Sequence, residues 1–213
     1  MKDLLLYLPD YLRAMSVTVW ISLCSAFLGA ALGFLLHAVC RHSRALYAAW
    51  RCYVWLIRGT PYLAQLAVIY FGLPSAGIML SAIEATILSL TLYSAAYFSE
   101  IFRASWRSIA RGQREAAAAH NISRWRSFWH IQTPQAMRFS LPLLGNQFIL
   151  TIKESAVASI ITVPELTMTT GQIVANTYNY VLPYALLIIS YWLLAQAVGL
   201  SIRLLSNGRT SKG

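Results

Sequence analysis

The sequence predicts an all-α protein that crosses a membrane several times. Of its 213 residues, 58% are apolar and only 11% are charged, whereas ordinary soluble domains are about a quarter charged. Five apolar segments approach the roughly 20 residues that a helix needs to cross the hydrocarbon core: 14–40, 53–73, 83–102, 139–161 and 182–205. They occupy most of the chain, so residues 1–213 are predicted to form a single transmembrane domain.

The positive charges lie beside alternate ends of these segments and predict their orientation. One side carries Arg41, Arg44, Arg51, Arg58, Arg103, Arg107, Arg111, Arg114, Arg124, Arg126, Arg138, Arg203, Arg209 and Lys212. The positive-inside rule therefore predicts an N-terminus outside and a C-terminus in the cytoplasm. The net charge of +10 is a topology signal, and its place along a membrane surface argues against a nucleic-acid partner.

The first two segments contain small residues and turn signals. Gly29 and Gly33 lie one helical turn apart, which permits close approach of a second helix. That approach could serve the bundle or another subunit, and chance spacing remains an alternative. Residues 58–61, Arg-Gly-Thr-Pro, predict the start of span two, because proline in a first helical turn loses no hydrogen bond. Tyr70–Pro74 predicts its end, and 162–181 is predicted to hold a short surface helix.

Four charged residues fall in or beside the predicted spans. An ionised group at that depth costs at least roughly 3 kcal/mol unless it is paired or hydrated. Glu100 and Arg103 lie one turn apart, which predicts a local structural ion pair. Lys153 and Glu154 are adjacent, so their side chains point about 100° apart and cannot pair well. Each needs a partner on another helix or water in a translocation path.

Residues 111–136 form a basic, water-soluble segment between spans three and four. Gly112–His120 is predicted to be helical, because Glu115 and four consecutive alanines favour a helix. Asn121 then closes the helix, since asparagine tolerates the left-handed conformation of such turns.

A second short helix follows in the same segment. Ser123 is predicted to cap a helix over Arg124–Gln132, which Pro134 limits downstream. This helix would present three aromatic side chains to a groove on a partner protein, or would anchor an interfacial helix to lipid headgroups. They are Trp125, Phe128 and Trp129.

Several motifs of the chain match one family. Glu115-Ala116-Ala117, Asn121 and Ile131-x-Thr133-Pro134 resemble the EAA loop of ABC importer permeases. The remaining motifs look like the polar amino-acid branch of that family: Arg58-Gly59-Thr60-Pro61, Tyr70-Phe71-Gly72-Leu73-Pro74, Glu100-x-x-Arg103, Gly112-Gln113 and Lys153-Glu154-Ser155. The resemblance covers about residues 14–205. It departs from the family pattern at Asn121, where glycine is usual, and at Thr133, where leucine is usual.

The resemblance implies a type I ABC importer permease with five transmembrane helices in a bacterial inner (plasma) membrane. It implies a dimer with a second copy or a sister permease, a pair of ATPase subunits and an extracytoplasmic substrate-binding protein. Membrane lipid surrounds the subunit, and the cargo is a polar amino acid or a close relative, including basic amino acids and opines. The chain has no GxxxxGK[ST] phosphate loop, so ATP and Mg belong to the partner ATPase, and this chain is expected to bind no cofactor or metal and to be no enzyme.

The resemblance and the charges in the predicted spans together indicate candidate site residues. ATPase coupling is assigned to Glu115, Ala116, Ala117, Asn121, Trp125, Phe128, Ile131 and Pro134. Glu115 would orient the segment, either by capping its helix or by bonding the ATPase. The hypothetical substrate path comprises Thr60, Lys153, Glu154 and Ser155. There Glu154 would meet the substrate's α-ammonium or a cationic side chain, and Lys153 would meet its carboxylate or pair structurally. An interhelical salt bridge remote from substrate is the alternative.

Two other classes of membrane protein are alternatives to a transport subunit. A membrane-embedded enzyme needs a nucleophile and base, or metal ligands, gathered at one depth, and no histidine in the predicted spans is matched with an aspartate. A membrane scaffold without transport function is the second alternative. The sequence leaves open which amino acid is carried and whether the dimer contains one or two kinds of permease.

Overall fold

The computed structural model describes residues 2–40 and 42–210, and every regular element in them is helical. The α-helices are α1 (Lys2–Val39), α2 (Arg44–Gly59), α3 (Tyr62–Ala67), α4 (Ala82–Arg107), α5 (Arg111–Ala119), α6 (Arg124–Ser127), α7 (Thr133–Glu154), α8 (Leu166–Thr177) and α9 (Val181–Thr210). Turns of π or 3₁₀ helix follow α3 (Val68–Gly72, Leu73–Ala76), α6 (Phe128–Gln132) and α7 (Ser155–Ile161). The all-α prediction is confirmed. Arg41 and Lys212, two of the cations that predicted the orientation, lie outside the described residues.

The centre of the bundle is the contact of α1 with α4, which depends on the two glycines of α1. A Cβ atom on Gly29 would lie 2.0 Å from Ser94 Oγ, and one on Gly33 would lie 2.9 Å from both Ala95 O and Ser99 N. Only hydrogen fits between these backbones, so the small residues serve packing within this chain.

Helices α7 and α9 complete this bundle. The Phe148 ring on α7 meets Phe27 and Phe98 edge to face, each at 5.5 Å between centroids. A Cβ on Gly145 would lie 2.2 Å from Ile202 Cδ1 on α9. Thus α7 packs between α1 and α4 on one side and α9 on the other, and its position depends on all three helices.

The apolar segment 53–73 contains parts of two helices: α2 ends at Gly59, and α3 begins at Tyr62, directly after the Arg-Gly-Thr-Pro sequence that predicted a helix start. Thr60 is extended, with φ −122° and ψ 147°, since a following proline disfavours the helical conformation. Helix α2 packs along α4, where Trp50 Nε1 donates to Ser99 Oγ at 3.0 Å. The helical path after Pro61 runs beyond the predicted stop to Ala76, and Gly77 ends it at φ +79°.

The helix predicted within 162–181 is present as α8; one of its faces is exposed, as predicted, and the other is buried. Leu166 and Thr170 of α8 are fully buried. Tyr11 of α1 donates its hydroxyl hydrogen to Pro183 O at 2.6 Å and lies 2.8 Å from Thr170 Oγ1. Helix α8 is therefore packed between the N-terminal ends of α1 and α9.

Length and composition alone identify two described helices that could cross a membrane, Leu5–Val39 and Val181–Leu204. Tyr62–Ala76 is apolar but shorter. Helices α4 and α7 are long enough but carry many polar side chains. Such residues are tolerated inside a bundle because they bond to backbone carbonyls, as Ser99 Oγ does to Ala96 O at 2.8 Å.

Candidate functional site

The first half of the candidate site is a hairpin formed by α5 and α6. Helix α5 ends in two hydrogen bonds that close a left-handed turn: Ile122 N to Ala117 O at 2.9 Å and Asn121 N to Ala118 O at 3.0 Å. Asn121 has φ +53°, which asparagine adopts more readily than other residues with a side chain. The predicted helix and its closing turn are confirmed.

Replacing Asn121 with alanine is expected to loosen this turn. The left-handed conformation costs an alanine roughly 1 kcal/mol, so the open form of the hairpin should become about fivefold more populated. Limited trypsin cleavage at Arg124 or Arg126 would measure that opening. Asn121→Gly is the matched control, and trypsin should cleave it no faster than the parent protein. Cleavage of Asn121→Ala at the same rate as the parent protein would contradict the expectation.

The second half of the hairpin continues directly into the bundle. Ser123 caps α6 as predicted, accepting from Arg126 N at 3.4 Å. However, Pro134 does not limit the helix. A π-helical turn precedes it, in which Thr133 N and Oγ1 both donate to Phe128 O, the latter at 2.9 Å. This register shift accommodates a residue that lacks an N–H, so residues 124–154 form one helical rod.

The three predicted aromatic residues differ in exposure and in their contacts with the bundle. Trp125 and Trp129 are 73% and 48% exposed, and their rings meet edge to face at 5.6 Å. Phe128 instead stacks on Trp106 of α4 at 6.0 Å. Two aromatic side chains thus remain available to a partner or to lipid, while the third attaches the hairpin to the bundle.

Glu115 does not cap a helix, which corrects one of its two predicted roles. The residue before α5 is Ala110, which has no side-chain cap. The Glu115 side chain is exposed, and its carboxylate makes no hydrogen bond or ion pair with the described residues. The other coupling candidates differ in exposure: Ala116, Asn121 and Pro134 are exposed, Ile131 is half-buried, and Ala117 is buried.

Glu100 and Arg103 form an ion pair near the C-terminal end of α4. Arg103 donates through Nε at 3.1 Å and through its terminal nitrogen at 2.5 Å, both to Glu100 Oε2. Its guanidinium also lies over the Trp50 ring, 5.8 Å from the centroid. This pair therefore joins α4 to α2.

Lys153 and Glu154 face two different surfaces at the far end of α7. Lys153 is exposed and lines a cleft against α9 beside Tyr191. Glu154 is half-buried within electrostatic range of the Tyr62 and Tyr93 hydroxyls. Neither has an ion-pair partner among the described residues, where the only salt bridge is Glu100–Arg103.

The remaining path candidates, Thr60 and Ser155, lie in different environments. Thr60 is exposed at the break before α3 and accepts a hydrogen bond from Gln65 Nε2 at 2.9 Å. Ser155 is 1% exposed and donates to Ile152 O at 2.8 Å, so it belongs to the protein interior rather than to an open path.

Sequence reasoning missed three residues around this break. Tyr62 starts α3, and its ring lies 5.1 Å from that of Tyr93. Gln65 Nε2 donates to Thr60 O and to Ile57 O in the last turn of α2. Hydroxyl and amide side chains inside an apolar segment were the available signal. These three residues form a polar cluster at the broken span, and its two tyrosine hydroxyls lie within electrostatic range of Glu154.

Known proteins resemble this chain over nearly its whole length. Residues 8–210 match the family described as binding-protein-dependent transport system inner membrane component. The probable amino-acid ABC transporter permease protein YckA of Bacillus subtilis (strain 168) is 36% identical over 86% of this chain and 82% of its own length. The arginine transport system permease protein ArtQ of the same organism is 34% identical over 88% and 86%.

A solved structure agrees with these relatives. The crystal structure of an amino acid ABC transporter with histidines contains a chain that superposes with a TM-score of 0.90, at 30% identity, over 96% of both chains. The resemblance suggested by the EAA motif is therefore confirmed, and members of the family are transport subunits rather than enzymes. The chain belongs to the binding-protein-dependent inner membrane components, the permease subunits of ABC importers.

Proposed function

We propose that the chain is one half of the membrane pathway of an ATP-driven importer for polar amino acids, with arginine a natural first candidate. Amino-acid permeases among its relatives, including ArtQ, support this class of cargo. The five spans would be α1, the broken α2–α3 segment, α4, α7 and α9, with the N-terminus outside. The arginines around α5 and α6 support a cytoplasmic location for the hairpin.

The observation that carries the proposal is the helical rod from Arg124 to Glu154. One end belongs to the coupling hairpin and the other carries Glu154 beside the polar cluster. Because the helix is continuous between the two sites, movement of the hairpin would be passed along it toward Glu154. Closure of the ATPase pair on ATP would supply that movement and switch the path between its inward and outward states.

The assembly that this mechanism needs has four kinds of component. The ATPase pair carries ATP and Mg, a second copy or a sister permease completes the pathway, and a binding protein delivers the amino acid from outside. Membrane lipid surrounds the whole. The exposed Trp125 and Trp129 and the unbonded Glu115 supply the contacts to the ATPase.

Uptake by reconstituted vesicles tests the proposal. Labelled arginine, glutamine and an opine should accumulate only with binding protein outside, ATPase bound and ATP inside. Omission of each component in turn should abolish accumulation of the transported compound. Uptake without ATPase, or no uptake of any amino acid by the full assembly, would refute the function. Chemical turnover of substrate by the permease alone would favour a membrane-embedded enzyme instead.

Replacing Glu154 with glutamine tests the path separately. Loss of a charge-assisted contact should reduce uptake of a cationic amino acid about tenfold, with less effect on a neutral one. Asp10→Asn, which removes an exposed carboxylate near the start of α1, is the control and should leave uptake unchanged. Unaltered uptake of every amino acid by Glu154→Gln would remove this residue from the path.

A further inference from the structure

A basic cavity lies where the end of α4 meets the coupling hairpin. Its volume is about 670 Å³, and four arginines contribute to its wall: Arg103, Arg107, Arg111 and Arg114. Two of them end α4 and two belong to the first turns of α5. The cavity therefore touches both the bundle and the segment assigned to ATPase coupling.

The positive charge of this cavity is not balanced by the described residues. Glu100 pairs with Arg103, but Arg107, Arg111 and Arg114 have no acidic partner there, and no aspartate or glutamate lines the wall. Like charges held around one space repel each other, and an anion between them removes that repulsion. The arrangement thus favours an anionic ligand.

The wall also contains an unpartnered hydrogen-bond donor. Trp106 lines the cavity, and its Nε1 is buried without a partner among the described residues. Gln132 lines the wall as well, and its amide nitrogen donates to Ser127 Oγ at 3.3 Å. Guanidinium groups donate in pairs to phosphate oxygens, so a phosphate group matches this set better than a single carboxylate does.

We propose that the cavity binds the phosphate of an anionic lipid headgroup and thereby links the coupling hairpin to the bundle. The remainder of the wall supports a lipid over soluble phosphate, because Tyr47, Trp106 and Ile109 offer an apolar surface beside the arginines. Basic pockets between helices at the cytoplasmic membrane surface suit such headgroups. Only the assignment to the cytoplasmic leaflet rests on the proposed function.

Lipid retention by the purified permease–ATPase complex tests this site. The complex is taken from bilayers containing equal amounts of phosphatidylglycerol and phosphatidylcholine, and native mass spectrometry counts the lipids that remain bound. The parent protein should retain phosphatidylglycerol preferentially. Arg107→Gln/Arg111→Gln should reduce that preference about thirtyfold, since each arginine near an anionic headgroup contributes roughly fivefold in affinity.

Two further variants control for charge and folding. Arg124→Gln/Arg126→Gln removes the same charge from exposed positions outside the cavity and should keep the preference. Arg107→Lys/Arg111→Lys keeps the charge and should retain most of the preference for phosphatidylglycerol. Equal retention by the parent and the cavity variant would overturn the proposal.

Titration of the delipidated complex with inorganic phosphate separates the possible ligands. Weak phosphate binding beside strong phosphatidylglycerol retention supports a lipid. Tight phosphate binding without lipid preference would overturn the lipid assignment. Loss of ATPase from the cavity variant with lipid retention intact would assign the cavity to the partner protein and would also overturn it. The readout requires no transport, so a failure of the proposed function would not alter it.

Discussion

Glu115→Lys is expected to leave the permease folded in its membrane while preventing its ATPase from binding. Glu115 is exposed on α5 and its carboxylate bonds no described residue, so the variant should lose no side-chain contact within the chain. At the interface, removal of one member of a buried charged pair costs about 2 kcal/mol or more. Reversal of the charge adds repulsion, so ATPase affinity should fall at least about thirtyfold.

Co-purification of the ATPase and substrate-stimulated ATP hydrolysis would measure this effect. Gln113→Lys adds a positive charge on the same exposed helix without removing the carboxylate, and it should bind the ATPase nearly normally. The ATPase affinity of Glu115→Gln should lie between those of Glu115→Lys and Gln113→Lys. A stoichiometric complex of Glu115→Lys with full ATP hydrolysis would show that this carboxylate is not a coupling contact.

Gly33→Leu is expected to prevent α1 from packing on α4. Even a methyl group at Gly33 would meet Ala95 O and Ser99 N at 2.9 Å, and these are backbone atoms that cannot rotate away. Inserting one extra methylene group into a packed core costs roughly 1–3 kcal/mol. A leucine adds four carbon atoms, so its cost should be larger. The variant should therefore yield little monodisperse permease, and Gly33→Ala should lower the midpoint of thermal unfolding.

Gly199→Ala provides the matched control for these substitutions. Gly199 is also a helical glycine, but nothing lies within 4 Å of the Cβ it would gain. Alanine there should be neutral or slightly stabilising, because it favours the helix by about 1 kcal/mol. Normal yield and thermal stability of Gly33→Leu in detergent-solubilised permease would contradict the importance of this close approach.

The coupling hairpin was the most predictable part of the molecule. Its helix, its closing turn at Asn121 and its cap at Ser123 depend on interactions between residues at most five apart. Backbone preference and local hydrogen bonds decide such features, so the sequence is sufficient to predict them. Pro134 was misjudged because the preceding π-helical turn accommodates it.

The residues of the predicted path were less predictable. Lys153 and Glu154 are adjacent in sequence, yet they reach different surfaces because α9 covers one side of α7 and α3 approaches another. Ser155 completes the same motif but is buried. Which neighbour a side chain meets depends on helix packing, which adjacency along the chain does not specify.

The sequence by itself determined the helical class, the hairpin and the family, since these follow from composition, local propensity and motif spacing. Only the tertiary structure decided that Gly29 and Gly33 pack on α4, that the segment 53–73 is broken, that one face of α8 is buried, and that the hairpin continues into α7 as one helix. These features arise from contacts between residues far apart in the chain, whose energies depend on the approach of whole helices rather than on any local pattern.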